Sequence, residues 1–320
     1  MAFISCRQAT SVALITAALS VPATLSAQKT VFRSGVDMVP LTVTVTDTKG
    51  KYVTGLTGND FEVFEDGVQQ DVAFFASDDV PLDVALLVDT SSSMNADLPL
   101  VKAAASGLVA KLRTTDRAIV VDVKGAASIA QELTSDRNAI ARAIRGLSAG
   151  GETAVYDAVY VILRELERER RSAAQVRRQA LVVLTDGIDT RSRLAFDDVL
   201  DVARRGDVSI YAVALKGTLA QTPRSLQPGE LLQSDYALNT VTRESGGRLF
   251  VPKTRLDLPG IYTAIAEELF SQYDLGYMPL RAVGEGGFRR VAVRLRPQTN
   301  ALARTRTGYI ASTTRAAMAR

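Results

Sequence analysis

The chain predicts an α/β fold: a doubly wound, mostly parallel sheet with helices on both faces, joined to a small all-β part built from its N- and C-terminal flanks. Three observations predict it. Strand-like and helix-like periods alternate between residues 82 and 270. Several strands there are unbroken apolar runs, Val84-Ala-Leu-Leu-Val88 and Ala180-Leu-Val-Val-Leu184 among them. Outside that stretch the pattern drops to period two, as in half-buried strands.

In chain order, residues 1–27 read as a secretory signal. Arg7 is the positive start, Val12-Ala-Leu-Ile-Thr-Ala-Ala-Leu19 the apolar stretch, and small residues offer cuts after Ala23 or Ala27. The run is well short of the ~20 residues that span a bilayer, so cleavage is expected rather than anchoring. Export follows, to the periplasm or beyond the cell. Next, Val39, Leu41, Val43 and Val45 alternate with Thr42, Thr44 and Thr46, a half-buried strand over 37–46. Asp47-Thr-Lys-Gly50 is a turn. Residues 61–68 form a hairpin turning at Asp66-Gly67, which Val72-Ala-Phe-Phe75 continues.

From residue 82 the elements are longer. A strand over 82–88 precedes a helix striped by Val101, Ala104, Ala105, Leu108, Val109 and Leu112. A strand over 118–123 has a short partner at 129–133. Helices follow over 136–146 and along Val155, Val159, Ile162, Leu163 and Leu166. Then come a strand at 180–184, a helix at 196–205, a strand at 208–215, a helix at 231–244, a short edge strand at 248–251 and a last helix at 257–270. Strands return at 273–277, 288–296 and 304–310. The expected organisation is a β flank (30–80), an inserted α/β domain (82–270) and a second β flank (271–315) that pairs with the first.

Composition narrows the chemistry. The 320 residues are 47% hydrophobic and 23% charged, with net charge +3, ample for a full core. There is no histidine, and the single cysteine, Cys6, lies in the signal. Ser-His-Asp triads, Cys-His pairs and imidazole or thiolate zinc sites are excluded. A metal must then be held by oxygen, which points to Mg²⁺, with Mn²⁺ or Ca²⁺ as alternatives. After Glu285 the chain has eight arginines and no acid. Alternation in Val291-Ala-Val-Arg-Leu-Arg296 reads as a strand with one wet face, and no aromatic platform suggests nucleic acid. The mixed charges of 165–178 read as a solvated helix end plus a loop.

The sharpest motif stands where the first apolar strand stops. Asp89-Thr-Ser91-Ser-Ser93 places a carboxylate and two hydroxyls at i, i+2 and i+4. Thr153 follows the Gly150-Gly151-Glu152 loop at a helix start, and Asp186 ends the strand at 180–184. All three places fall at the C-terminal edge of one parallel sheet, where such folds bind ligands. Singly, each has a plainer reading as a helix cap or a turn.

Together these segments resemble the metal-ion-dependent adhesion site of the von Willebrand factor type A domain, a Rossmann-like fold, over roughly residues 82–270. The resemblance implies that Ser91 and Ser93 coordinate the metal directly, Thr153 directly or through water, and Asp89 and Asp186 mainly through water. The flanks, with Gly55-Leu-Thr-Gly-Asn-Asp-Phe-Glu-Val-Phe-Glu-Asp-Gly67 and Thr307-Gly-Tyr309, resemble an exported, acidobacterial-type family carrying this domain. Glu152 departs from the small residue expected before Thr153. It reads first as a solvent-pointing loop residue and second as a rim carboxylate that alters which ligands are accepted.

The expected function is therefore a non-enzymatic, metal-dependent protein-binding module of the cell envelope, gripping an acidic residue of a partner protein. The alternatives are a metal-dependent hydrolase or phosphatase and a purely structural envelope protein. Against the enzyme, the Asp-Thr-Ser run lacks a second aspartate two residues on, and no glycine-rich phosphate loop is present.

Overall fold

A computed structural model gives the fold, described for residues 38–77, 80–173, 175–186, 189–215, 228–281, 287–296 and 300–311. The expected signal at 1–27 lies outside them. The first flank supplies β1 (Val39–Asp47), β2 (Phe61–Glu65), β3 (Val68–Gln70) and β4 (Val72–Ala76). Then follow β5 (Leu82–Asp89), α1 (Leu98–Lys111), β6 (Arg117–Lys124), β7 (Ala126–Thr134), α2 (Arg137–Gly146) and α3 (Val155–Ser172). Next are β8 (Arg178–Thr185), α4 (Phe196–Arg205), β9 (Val208–Ala214), α5 (Pro228–Glu244), β10 (Leu249–Phe250) and α6 (Leu258–Phe270). The second flank holds β11 (Gln272–Tyr277), β12 (Phe288–Leu295), β13 (Ala301–Arg304) and β14 (Gly308–Ile310).

The central sheet runs β10-β9-β8-β5-β6-β7, parallel throughout except for the antiparallel edge strand β7. Every residue of β5, β8 and β9 is buried, which is why they read as unbroken apolar runs. Alternate side chains serve two cores. Val84, Leu86 and Val88 pack towards α1, α2 and α6, while Ala85 and Leu87 pack towards α3, α4 and α5. Truncating a leucine in either layer costs about 2–5 kcal/mol through lost burial and the cavity left behind.

The flanks interleave in two antiparallel sheets, β13-β1-β11-β4 and β14-β12-β2-β3. The Asp66-Gly67 turn joins β2 to β3 with Glu65 opposite Val68, and both turn residues have positive φ (48° and 85°), as a type I′ hairpin requires. Two expectations are corrected. β4 does not extend that hairpin but pairs with β11 in the other sheet. The segment 304–310, read as one strand, divides into β13 and β14 in different sheets.

Three arginines of the basic C-terminal stretch are tied to acids, while Arg290, Arg294 and Arg296 stay exposed, as a strand with one wet face requires. Arg289 is 1% exposed and pairs with Glu65, Arg306 pairs with Asp207, and Arg304 pairs with Glu268 at the end of α6. In the charged stretch 165–178, α3 ends at Ser172 with a mostly exposed last turn, as the reading of a solvated helix end plus a loop expected, and only the final two residues depart from it. Arg177 pairs with Asp83, and Arg178, buried as the first residue of β8, pairs with Asp274 of β11.

Candidate metal centre

Three loops meet at the C-terminal edge of the sheet. β5 ends at Asp89, and a short 3-10 turn over Ser92–Met94 follows. The loop before α3 lies against it. Gly150 N–H donates to the Thr90 carbonyl (2.7 Å), and Ser92 donates to the Gly151 carbonyl through N–H (3.1 Å) and Oγ (3.0 Å). Gly151 has φ of 78°, a left-handed conformation that glycine adopts without strain. The loop after β8 closes the third side. Thr190 and Arg191 N–H both donate to the Thr153 carbonyl at 3.0 Å, and Thr153 N–H donates to Thr190 Oγ1 (3.1 Å).

The five predicted residues therefore share one edge. Asp89 is fully buried, with Ser91, Thr153 and Asp186 at 2%, 4% and 7% exposure and Ser93 half-buried. Asp89 Oδ1 accepts from Ser91 N–H (2.9 Å) and Oδ2 from Thr185 Oγ1 (2.8 Å). Ser91 Oγ and Ser93 Oγ are 3.0 Å apart. Burial first, and the nearby Asp186 carboxylate second, push the Asp89 carboxyl up to about 6. A cation beside the two aspartates would offset both causes by favouring their charged forms.

The donor chemistry fits a hard divalent cation: two carboxylates and three hydroxyls, all oxygen. Among the described residues there is no group of three or more His, Cys, Asp or Glu side chains arranged to hold a metal. The hydroxyls are thus indispensable to any site here. The residues that would hold the ion are Asp89, Ser91, Ser93, Thr153 and Asp186.

Several supporting residues escaped the sequence reading. α3 begins without a side-chain cap of its own. Its exposed N–H groups are met from the loop after β8: Tyr156 N–H donates to Asp189 Oδ2 (2.9 Å) and Asp157 N–H to Ser192 Oγ (3.0 Å). The only local hint was Asp189 followed by Thr190 and Ser192, residue types that bond to nearby backbone. Asp97, fully buried behind the first loop, pairs with Arg255 in the short turn just before α6. Glu152 is exposed and forms an ion pair with Arg191 (2.8 Å). A cavity of about 350 Å³, lined by Leu41, Phe74, Arg177, Arg178 and Asp274, opens at the other edge of the sheet, away from this site.

Fold and edge together define a domain of the von Willebrand factor A type. The chain belongs to that family: the model of the von Willebrand factor type A domain matches residues 83–246. An uncharacterized protein of Synechocystis sp., sll0103, is 35% identical over 111 residues, which are 34% of this chain and 26% of that one. The match thus spans about a quarter of that relative. Among solved structures, a von Willebrand factor type A protein from Catenulispora acidiphila is similar at 14% identity and TM-score 0.47, covering 87% of this chain and 75% of that one. The PilB minor pilin from Streptococcus sanguinis is similar at 13% identity and TM-score 0.47, over 60% and 62%. BatB from Bacteroides thetaiotaomicron is similar at 19% identity and TM-score 0.42, over 59% and 98%. No described helix is long and apolar enough to cross a membrane.

Proposed function

We propose that this protein is a metal-dependent protein-binding module, exported to the cell envelope, that takes a carboxylate of a partner through a divalent cation, Mg²⁺ first. The observation that carries the reading is the meeting of Asp89, Ser91, Ser93, Thr153 and Asp186 at one sheet edge, with the Asp89 carboxyl pushed up by burial and by its neighbour. Family membership fits a protein-interaction module. When bound, the cation supplies a Lewis-acidic position that two carboxylates and three neutral hydroxyls leave less neutralised than an all-carboxylate cage would.

The chain's own residues do the rest. Ser91 N–H and Thr185 Oγ1 hold both oxygens of Asp89 in place. The paired bonds from Thr190 and Arg191 fix the backbone of Thr153. Asp189 and Ser192 anchor the start of α3, which ties the third loop to the helix that follows the second. Calorimetric titration with Mg²⁺, and partner capture from the envelope of the source cell with and without chelator, test the reading. Mg²⁺ binding and capture that both vanish in Asp89→Ala, with the domain still folded, are the expected result. Capture that survives chelator and Asp89→Ala alike overturns it.

A further inference from the structure

We propose that Arg191 is a second anion contact at the rim of the metal position, covered in the free protein by Glu152, and that the partner segment presents two carboxylates two residues apart. This rests on the function proposed above and specifies its partner. The Glu152 and Arg191 side chains meet at 2.8 Å while remaining 56% and 61% exposed. Their backbones are pinned independently of that contact. Gly125 N–H donates to the Glu152 carbonyl (2.6 Å), and Arg191 N–H donates to the Thr153 carbonyl (3.0 Å). Exchanging Glu152 for another carboxylate therefore leaves both loops in place, and an exposed ion pair resists such exchange only weakly.

Charge on the same loop favours an anion. Arg191 and Arg193 are exposed. Asp189, the acid beside them, is occupied by the N–H groups of Tyr156 and Ser192 and by the Ser192 hydroxyl. Lys124, across the site, is engaged by Asp122 and Ser148. Arg191 is thus the guanidinium on this rim whose partner is itself exposed and replaceable. A planar guanidinium matches a carboxylate, and the chain already displays that contact with Glu152 in the incoming group's place.

Spacing follows from the backbone. Glu152 and Thr153 are consecutive and Arg191 N–H donates to the Thr153 carbonyl, so the Arg191 contact and one hydroxyl of the metal position belong to the same short stretch of rim. Neighbouring side chains on an extended peptide point to opposite faces, and residues i and i+2 share a face roughly 7 Å apart. An extended acid-x-acid segment, with two carboxylates on one face, is the simplest ligand that offers an acid to each of two contacts on one short stretch of rim.

The test uses the full chain in Mg²⁺ with terminally blocked peptides, Gly-Asp-Gly-Asp-Gly against Gly-Asp-Gly-Asn-Gly, read by calorimetry. The di-acidic peptide is expected to bind about fivefold tighter, the scale of one exposed ion pair. Arg191→Ala should erase that preference, and Arg191→Lys should keep part of it. Glu152→Gln should raise affinity for the di-acidic peptide by a further factor of up to about five. The side-chain nitrogen NMR signal of Arg191 should move with the di-acidic peptide and not with the other. Equal affinities, or a preference that survives Arg191→Ala, overturns the second contact alone, while Mg²⁺ binding with neither peptide bound overturns the carboxylate grip of the proposed function and this inference with it. A sulfated oligosaccharide that outcompetes the di-acidic peptide also overturns the second contact. Failure of Mg²⁺ itself to bind overturns the proposed function and this inference with it.

Discussion

Strand β5 carries a buried aspartate near each end, and the two are matched in opposite ways. Asp83 is 1% exposed and sits between arginines: Arg117 donates to both its oxygens (2.9 and 2.7 Å), and Arg177 Nε donates to Oδ1 (2.7 Å). Asp89 is 0% exposed and takes its hydrogen bonds from neutral donors, a backbone N–H and the Thr185 hydroxyl. The end with arginines is closed electrostatically and joins the sheet to its surroundings. At the end with hydroxyls, burial and Asp186 push the Asp89 carboxyl up, and it is there that the proposed cation would sit. One strand thus separates a holding end from the end proposed to bind.

The hardest way to break this comparison is Asp83→Ala. It leaves two guanidinium groups facing an empty buried position, with an expected loss of about 3–5 kcal/mol in chemical denaturation. Metal-free Asp89→Asn should fall within about 1 kcal/mol of the parent, since a strained charge is removed along with its hydrogen bonds. A loss as large as that of Asp83→Ala would place Asp89 among the holding carboxylates.

Next in size is the metal itself. Mg²⁺ at a hundredfold over its dissociation constant should add ~2.7 kcal/mol to unfolding stability. The gain should disappear in Asp89→Asn and in the Ser91→Ala, Ser93→Ala double variant. Identical melts of the parent in excess Mg²⁺ and in chelator would remove the distinction between the two ends.

Smaller still, Arg177→Ala should cost about 2 kcal/mol, because Arg117 continues to hold Asp83. It should leave Mg²⁺ affinity unchanged, and a change there would show the ends of β5 to be coupled. Smallest is Thr185→Val. It removes the hydroxyl that donates to Asp89 and should cost about 1 kcal/mol, with weaker Mg²⁺ binding as the more sensitive readout.

Much of this fold was legible because its signals are local. β5 and β8 announced themselves as apolar runs, α1 and α3 as stripes of period 3.6, and the Asp66-Gly67 hairpin by its turn residues. The candidate site was legible for the same reason, since Asp89, Ser91, Ser93 and Asp186 stand at or just past strand ends and Thr153 just before a helix start, all of which could be read. Pairing was harder. β4 could extend its own hairpin or cross to β11, and only a partner some two hundred residues along the chain, Ala76 against Asp274, decides that. Period two within 304–310 carried no sign that β13 and β14 part into different sheets.

By itself the sequence determined the alternation of strands and helices, the absence of histidine and of any cysteine beyond Cys6, and an oxygen-only donor set at three loop positions. These follow from residue type and local period. Only the tertiary structure decided that Arg178, Arg289 and Arg306 turn inward, that Asp189 and Ser192 hold the start of α3, and that Glu152 lies on Arg191. A charge looks the same in a sequence whether water or a distant carboxylate surrounds it, and the chain must fold before that partner arrives.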